Sequence, residues 1–169
     1  MQLKIKTYIY GEHVPTSLLK VKIMQKRVEK ATGLFRQTFN CSQSIFTAFR
    51  DEAKIDEKTA LKLSTVFGAG VACTGKSLCG AASDALMAIS MKYGRDDVKD
   101  TEAKQQTYEI GAKFLDTFKK KIGACVCEEL LGVNIGTREG MAKFKQEKMI
   151  NTKCANIVKS TAEMLEGLL

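Results

Sequence analysis

The chain has no tryptophan, one proline (Pro15) and one histidine (His13) among its 169 residues. With a single proline, long stretches lack the residue that most strongly breaks helices. A single histidine argues against His-rich metal sites and against histidine-based acid–base catalysis. No apolar run approaches the ~18–20 residues needed to cross a bilayer. Lys4 and Lys6 interrupt the N-terminus where a secretory signal peptide would be apolar, so the expected compartment is the cytoplasm. No CxxC pair occurs, which removes the zinc-ribbon and thioredoxin-type motifs, and no CxxCH occurs, which removes covalent haem.

What is present fits one domain with a proper core, since 169 residues are hardly enough for two. The formal charge is +8. Lysines stand beside Asp and Glu in KRVEK, DEAKIDEK and KFKQEK, the pattern of solvated helix faces. There is no aromatic-interleaved basic stripe, so neither nucleic-acid binding nor membrane insertion is expected. Six cysteines are many for a reducing compartment, where structural disulfides are a poor default. Metal ligation or thiol redox chemistry is the better functional reading, with buried core cysteine as the alternative.

Residues 3–10, LKIKTYIY, alternate like a short strand, and GEHVP follows as a turn. Helical spacing dominates from Thr16, and Met24 is expected to open a lysine-rich helix, so that residues 1–23 form an extension and 24–169 the domain. Asn40 with Gln43 three residues on predicts a capping box, which places Cys41 in a first turn ahead of Ile45, Phe46 and Phe49. Asp56 caps a helix through about Phe67, and AASDALMAISMKY reads as a buried helix ended by Gly94. Asp100 to about Lys121 is amphipathic, with Tyr108, Ile110, Phe114, Leu115 and Phe118. Tyr93 and Tyr108 fall at core-like helical spacing. ACVCEELL, ending at Gly132, is a short helix, GTREGMAKFKQEKM another, and the last is capped by Asn151 or Thr152. The expected fold is an all-α, single-domain bundle of about six to eight helices, with a short N-terminal strand.

The segment Phe67–Asp84, FGAGVACTGKSLCGAASD, supports two chemistries. Gly70, Gly75, Lys76 and Ser77 fit GxxxxGK[ST], the phosphate-cradling P-loop. A P-loop needs a preceding buried strand and a parallel sheet, whereas LKLSTVFGA continues a helical pattern. A nucleotide-binding reading is therefore the weaker one. The other chemistry is sulfur. Cys41, Cys79 and Cys154 are expected in or just before helix first turns, and Cys127 in a short helix after Gly123. Helix N-termini favour thiolate over thiol, and Lys76 offers a nearby cation.

In chain order, Asn40-Cys41-Ser42-Gln43, then Cys79-Gly80-Ala81, then Cys127-Glu128-Glu129-Leu130-Leu131-Gly132, then Cys154 resemble the C_GCAxxG_C_C family. These bacterial and archaeal proteins are named redox-active from four characteristic cysteines and a CGAxxG motif. The resemblance covers roughly residues 24–168 and includes FGAG before the motif and ALMAISMKYG after it. It implies that Cys41, Cys79, Cys127 and Cys154 are the cofactor- or metal-binding residues, with Cys73 and Cys125 as extras. Where the family has the second glycine of CGAxxG, this chain has Asp84, which puts the shape of the pocket in question.

Similar segments occur in a multihaem cytochrome that also carries an iron–sulfur centre, so the resemblance implies an iron–sulfur cluster serving electron transfer or redox sensing. Zinc would accept the same four thiolates, and without metal the thiols would cycle through a disulfide. Family members often lie near transporter genes, which implies a functional link to transporters besides a redox partner protein. No general acid, base or oxyanion device stands out that would support substrate turnover.

Overall fold

The computed structural model describes residues 8–9, 12–13 and 16–169, with side chains from residue 25 onward. Within the expected strand, Tyr8–Ile9 pairs antiparallel with Glu12–His13, in the register Tyr8 to His13 and Ile9 to Glu12. The rest of the 3–10 expectation lies outside the described residues. The elements that follow are helices. In order come α1 (Thr16–Arg36), α2 (Cys41–Ala48), α3 (Glu57–Ser64) extended by a 3-10 turn (Thr65–Phe67), α4 (Gly80–Tyr93), α5 (Thr101–Ile122), α6 (Cys127–Leu131), α7 (Arg138–Gln146) and α8 (Ala155–Glu166). A π turn, Ile150–Cys154, leads into α8. The fold is all-α, as expected.

Side-chain caps set several boundaries. Asn40 Oδ1 accepts from the Gln43 N–H at 2.9 Å, and Gln43 Oε1 accepts from the Asn40 N–H at 3.2 Å, closing the capping box on α2. Asp56, Asp100 and Thr137 cap α3, α5 and α7 through Thr59, Ala103 and Gly140. Each such cap contributes about 0.5–2 kcal/mol. Gly94 stops α4, its N–H donating to Ser90 O at 2.7 Å. Gly132, at φ 72°, stops α6.

Three boundaries differ from expectation. α1 starts at Thr16 and runs through Met24 without a break, because nothing between Pro15 and Gly33 interrupts helix formation. α6 starts at Cys127 and not at Ala124, since Cys125 and Val126 are used to pair with the loop before α4. Neither Asn151 nor Thr152 caps the last helix, as both lie inside the π turn.

α2 packs against α1, α3, α4 and α8. On α4, Ala81, Ala82, Ala85 and Ala88 have no exposed surface, and their small side chains let the two helix backbones approach. Around this pair a large core forms from Ile45, Phe49, Ile89, Phe114, Phe118 and Val158. Full burial of such a side chain is worth roughly 1.5–3 kcal/mol. Tyr93 packs on this core, its hydroxyl 3.3 Å from Leu168 O. Tyr108 is 65 % exposed, contrary to its core-like spacing, because Thr107 takes the inward position and donates to Tyr93 O at 2.7 Å. A second, smaller cluster of Cys127, Leu131, Ile135 and Met149 forms under α6 and α7.

Candidate cysteine site

Between α3 and α4 the chain takes an unusual course. Ala69, Gly70, Val71, Ala72 and Cys73 all have φ between +50° and +72°. A run of left-handed residues is disfavoured for L-amino acids by about 1–2 kcal/mol at each non-glycine position. Local bonds hold it: the Ala72 N–H donates to Val66 O at 2.7 Å, the Gly75 N–H to Ala69 O at 3.1 Å, and Thr74 Oγ1 to Gly70 O at 2.6 Å. Strain of this kind persists where the surroundings over-determine it, and it clusters at functional sites.

Downstream, the same loop is zipped to the segment before α6. Leu78 and Val126 form an antiparallel bridge. The Cys79 N–H donates to Cys125 O at 2.8 Å, the Cys127 N–H to Ser77 O at 3.0 Å, and the Glu128 N–H to Gly75 O at 2.8 Å. Cys79, the residue just before α4, is thereby set beside Cys127, the first residue of α6. The Asn40 box presents Cys41 from α2. Cys154 arrives on the π turn, a helical irregularity that recurs at functional sites.

Five cysteines, Cys41, Cys73, Cys79, Cys127 and Cys154, line one cavity of about 230 Å³. Its remaining wall is mostly apolar, with Phe35, Ile135, Phe144 and Ile157 among the lining side chains. The four cysteines carried over from the resemblance thus meet in space. Cys73 joins them, although sequence reasoning left it as an extra. Cys125 does not join, as its thiol faces Leu115 O at 3.8 Å. All six cysteines are free thiols.

Glycines make the approach feasible. A Cβ at Gly80 would stand 2.8 Å from Cys41 Sγ and 2.9 Å from Phe67 O, so the glycine of CGA is required by the sulfur beside it. A Cβ at Gly70 would stand 2.8 Å from the Gly75 backbone and 2.9 Å from Cys127 Cβ, and its φ is +72°.

The thiols differ electrostatically. Cys41 receives a hydrogen bond from the Cys79 thiol and others from the backbone N–H groups of Ala69, Ser42 and Ala81. The bond from Cys79, helped by the amides and opposed by burial, brings the Cys41 thiol down to about 6. Cys79 moves the other way, well up, because its proton is held on the Cys41 sulfur and it is buried. Cys127 and Cys154 are pushed up to about 12, by burial first and by the charge of Cys41 second. A lowered thiol pKa, the direction a helix start favours, is found at Cys41, while Cys79, Cys127 and Cys154 shift the other way. At Cys79 the interaction with Cys41, with burial second, outweighs any helix-end effect, at Cys127 burial does, and Cys154 is already inside a continuing helical turn. Lys76 lies outside the cavity wall, in a surface groove with Cys73, Thr74 and Asn134, so amides rather than a lysine stabilise the anionic sulfur.

Asp84 is fully buried on α4 and is not part of the cavity wall. Its Oδ2 accepts from Ser83 Oγ at 2.9 Å, while Oδ1 has no hydrogen-bond partner. Burial raises its carboxyl to about 7, against the Ser42 and Ser83 hydroxyls and with the charge of Cys41. Its effect on the pocket is therefore indirect.

The P-loop reading fails structurally. Residues 57–67 are helical, and among the described residues there is no parallel sheet. Lys76 and Ser77 are exposed on a loop that ends only at Gly80, beyond the GKS step.

A helical domain that gathers thiols from separate helices and a strained loop around one apolar cavity is a cysteine-centred protein, and redox chemistry is the class such a site serves. The family model described as "Putative redox-active protein (C_GCAxxG_C_C)" matches residues 39–168, and the chain belongs to that family. No curated protein and no solved structure matches it. Among the described residues, no helix is long and apolar enough to cross a membrane.

The donor set and its surroundings fit a metal–sulfur group. Thiolates are soft ligands, and an apolar wall excludes competing water. Among the described residues no three His, Cys, Asp or Glu side chains close on a single ion position.

Proposed function

We propose that Cys41, Cys79, Cys127 and Cys154 hold an iron–sulfur cluster and that the protein transfers electrons, or senses redox state, through it. The observation that carries this reading is that these cysteines, brought from separate helical segments, line one apolar cavity of about 230 Å³. Four thiolates are the usual ligand set of [2Fe–2S] and [4Fe–4S] groups, and a cavity of this size has room for more than a single ion. When bound, such a cluster supplies one-electron chemistry. The chain's own part is to hold it dry behind Phe35 and Phe144 and to donate hydrogen bonds to one ligand sulfur. The Ser42, Ala69 and Ala81 amides aimed at Cys41 would stabilise the more negative, reduced state and raise the potential. A redox partner protein takes or delivers the electron, in the reducing cytoplasm.

Anaerobic purification with visible absorption and iron and sulfide analysis tests this. The expected result is a brown protein with iron and sulfide in stoichiometric amounts, lost on Cys41→Ser or Cys79→Ser and kept on Cys125→Ser. Zinc in place of iron, or colourless protein after anaerobic reconstitution, overturns it.

One contact favours a second reading. Cys41 Sγ lies against Gly80, the residue after Cys79, and both thiols line the cavity, which places the two to form a disulfide by exchange with an external one, releasing two thiols. Colourless protein that loses two titratable thiols on mild oxidation, with Cys41 linked to Cys79, would select it.

A further inference from the structure

A four-ligand site leaves one thiol of the cavity unassigned. Cys73 is the exposed member of the five, while Cys79 and Cys127 retain 5 % and 6 % of their surface and Cys41 and Cys154 are partly buried. It faces two ways, lining both the cysteine cavity and the surface groove of Thr74, Lys76 and Asn134. An oxidant in solution therefore meets Cys73 first.

The turn that carries Cys73 is fastened to Cys127 on both sides. Gly70 lies so close that a Cβ there would stand 2.9 Å from Cys127 Cβ, and Gly75 O accepts the N–H of Glu128 at 2.8 Å. Cys127 is thus the cavity thiol that the Cys73 turn adjoins.

We propose that Cys73 is the exchange thiol of the cavity, reacting with a low-molecular-weight disulfide, and that Cys127 resolves the adduct. In the first step the Cys73 thiolate attacks one sulfur of R–S–S–R, forming Cys73–S–S–R and releasing RS⁻. In the second, the Cys127 sulfur, giving up its proton as it attacks, bonds to Cys73 Sγ and displaces the other RS⁻. Two cysteine thiols are oxidised to one disulfide, the external disulfide is reduced to two thiols, and each departing sulfur takes up a proton. The product withdraws Cys127 from the four ligands proposed above, so oxidation in solution disables the site from its mouth inward. This inference rests on the cavity being a reactive thiol site. It does not depend on which cofactor the cavity takes.

The test uses the full-length, metal-free, reduced chain in a Cys125→Ser background, with glutathione disulfide as the probe. Cleavage after Lys62 and Lys76 puts Cys73 on a peptide separate from Cys79, and cleavage after Lys121 and Arg138 isolates Cys127. Non-reducing peptide mapping is expected to show the Cys73–Cys127 linkage. Cys127→Ser should stop at the glutathione adduct on Cys73. Cys73→Ser, an exposed and conservative change, should slow glutathione release by at least about tenfold. A Cys41–Cys79 linkage formed at an unchanged rate in Cys73→Ser overturns the proposal, as does a Cys73 that stays free while others oxidise. Visible absorption of reconstituted Cys73→Ser reads the cluster proposal separately. A brown Cys73→Ser protein leaves that proposal standing whatever the exchange result.

Discussion

The two hydrophobic clusters of this molecule are built by different means. The larger one joins α1, α2, α4, α5 and α8 through regular helices, alanine-lined contacts and a Phe114–Phe118 ring pair with centroids 6.1 Å apart. The smaller one, under α6 and α7, has four buried members and is bordered by a five-residue helix, a π turn and the left-handed run from Ala69 to Cys73. The cysteine cavity lies on the seam. Cys41 and Cys79 belong to the large cluster, Cys127 and Cys154 to the small one. Regular packing supplies the stability that lets the irregular half hold strained backbone and a cavity lined by sulfur.

The comparison breaks most visibly under truncation. Phe118 has no exposed surface and sits between close-packed helices, so Phe118→Ala should cost about 3–5 kcal/mol in urea unfolding. Leu131 is 2 % exposed but lines the existing cavity, where less packing is lost and the wall can collapse. Leu131→Ala should fall at the low end of the range for Leu truncation, about 2 kcal/mol. Equal costs at the two positions would deny that the halves differ in packing.

Asp84 tests how far the regular half is compromised. Its carboxyl titrates near 7 in the folded protein against about 3.9 in an unfolded chain. Between those values the native state binds more protons than the unfolded state. Stability must therefore fall as pH rises from about 4 to about 7, by at most about 4 kcal/mol from this group. Asp84→Asn should flatten that slope and leave the variant more stable than the parent at pH 8. A parent whose stability rises steadily from pH 4 to pH 7, unchanged by Asp84→Asn, contradicts the assignment. Asp84→Gly, which restores the residue implied by the family resemblance, should flatten it too, with part of the gain offset by glycine's helix cost of about 1 kcal/mol.

What the sequence disclosed follows the same division. Asn40 with Gln43, Asp56, Asp100 and Gly94 are local signals, each acting within four residues, and the helix ends they mark agree with the structure to within a residue or two. The four cysteines could be grouped only by their order along the chain, because their spacing fits no single-element motif. The place of Cys73 was hidden, since Ala69, Val71, Ala72 and Cys73 carry no sign of a left-handed conformation that only longer-range bonds enforce. The π turn was hidden for a like reason, as INTKC reads as an N-terminus by composition and becomes helix interior by context. Asp84 was legible as a departure from the family pattern, but its distance from the cavity wall was not.

A smaller effect is expected at the seam itself. Gly80→Ala adds one methyl 2.8 Å from Cys41 Sγ and 2.9 Å from a backbone oxygen, neither of which is the end of a flexible chain. Overpacking of this kind costs about 1–3 kcal/mol. Its signature is displacement of Cys41, read as weakened cofactor retention during anaerobic gel filtration. A variant with unchanged stability and retention would mean that Cys41 has room to move.

The mildest change separates support of α2 from support of its cysteine. Asn40 accepts from the Gln43 N–H and donates through Nδ2 to Thr65 O at 2.9 Å, so one side chain caps the helix and ties it to the turn leading into the strained loop. Asn40→Ala removes both bonds and should cost about 1–2 kcal/mol. Asn40→Ser keeps the cap and loses the tie to Thr65. If the cap alone positions Cys41, the Ser variant should retain the cofactor as the parent does. If the tie also matters, the Ser variant should recover most of the stability and little of the retention. Cofactor loss that simply tracks unfolding in both variants would reduce Asn40 to an ordinary cap.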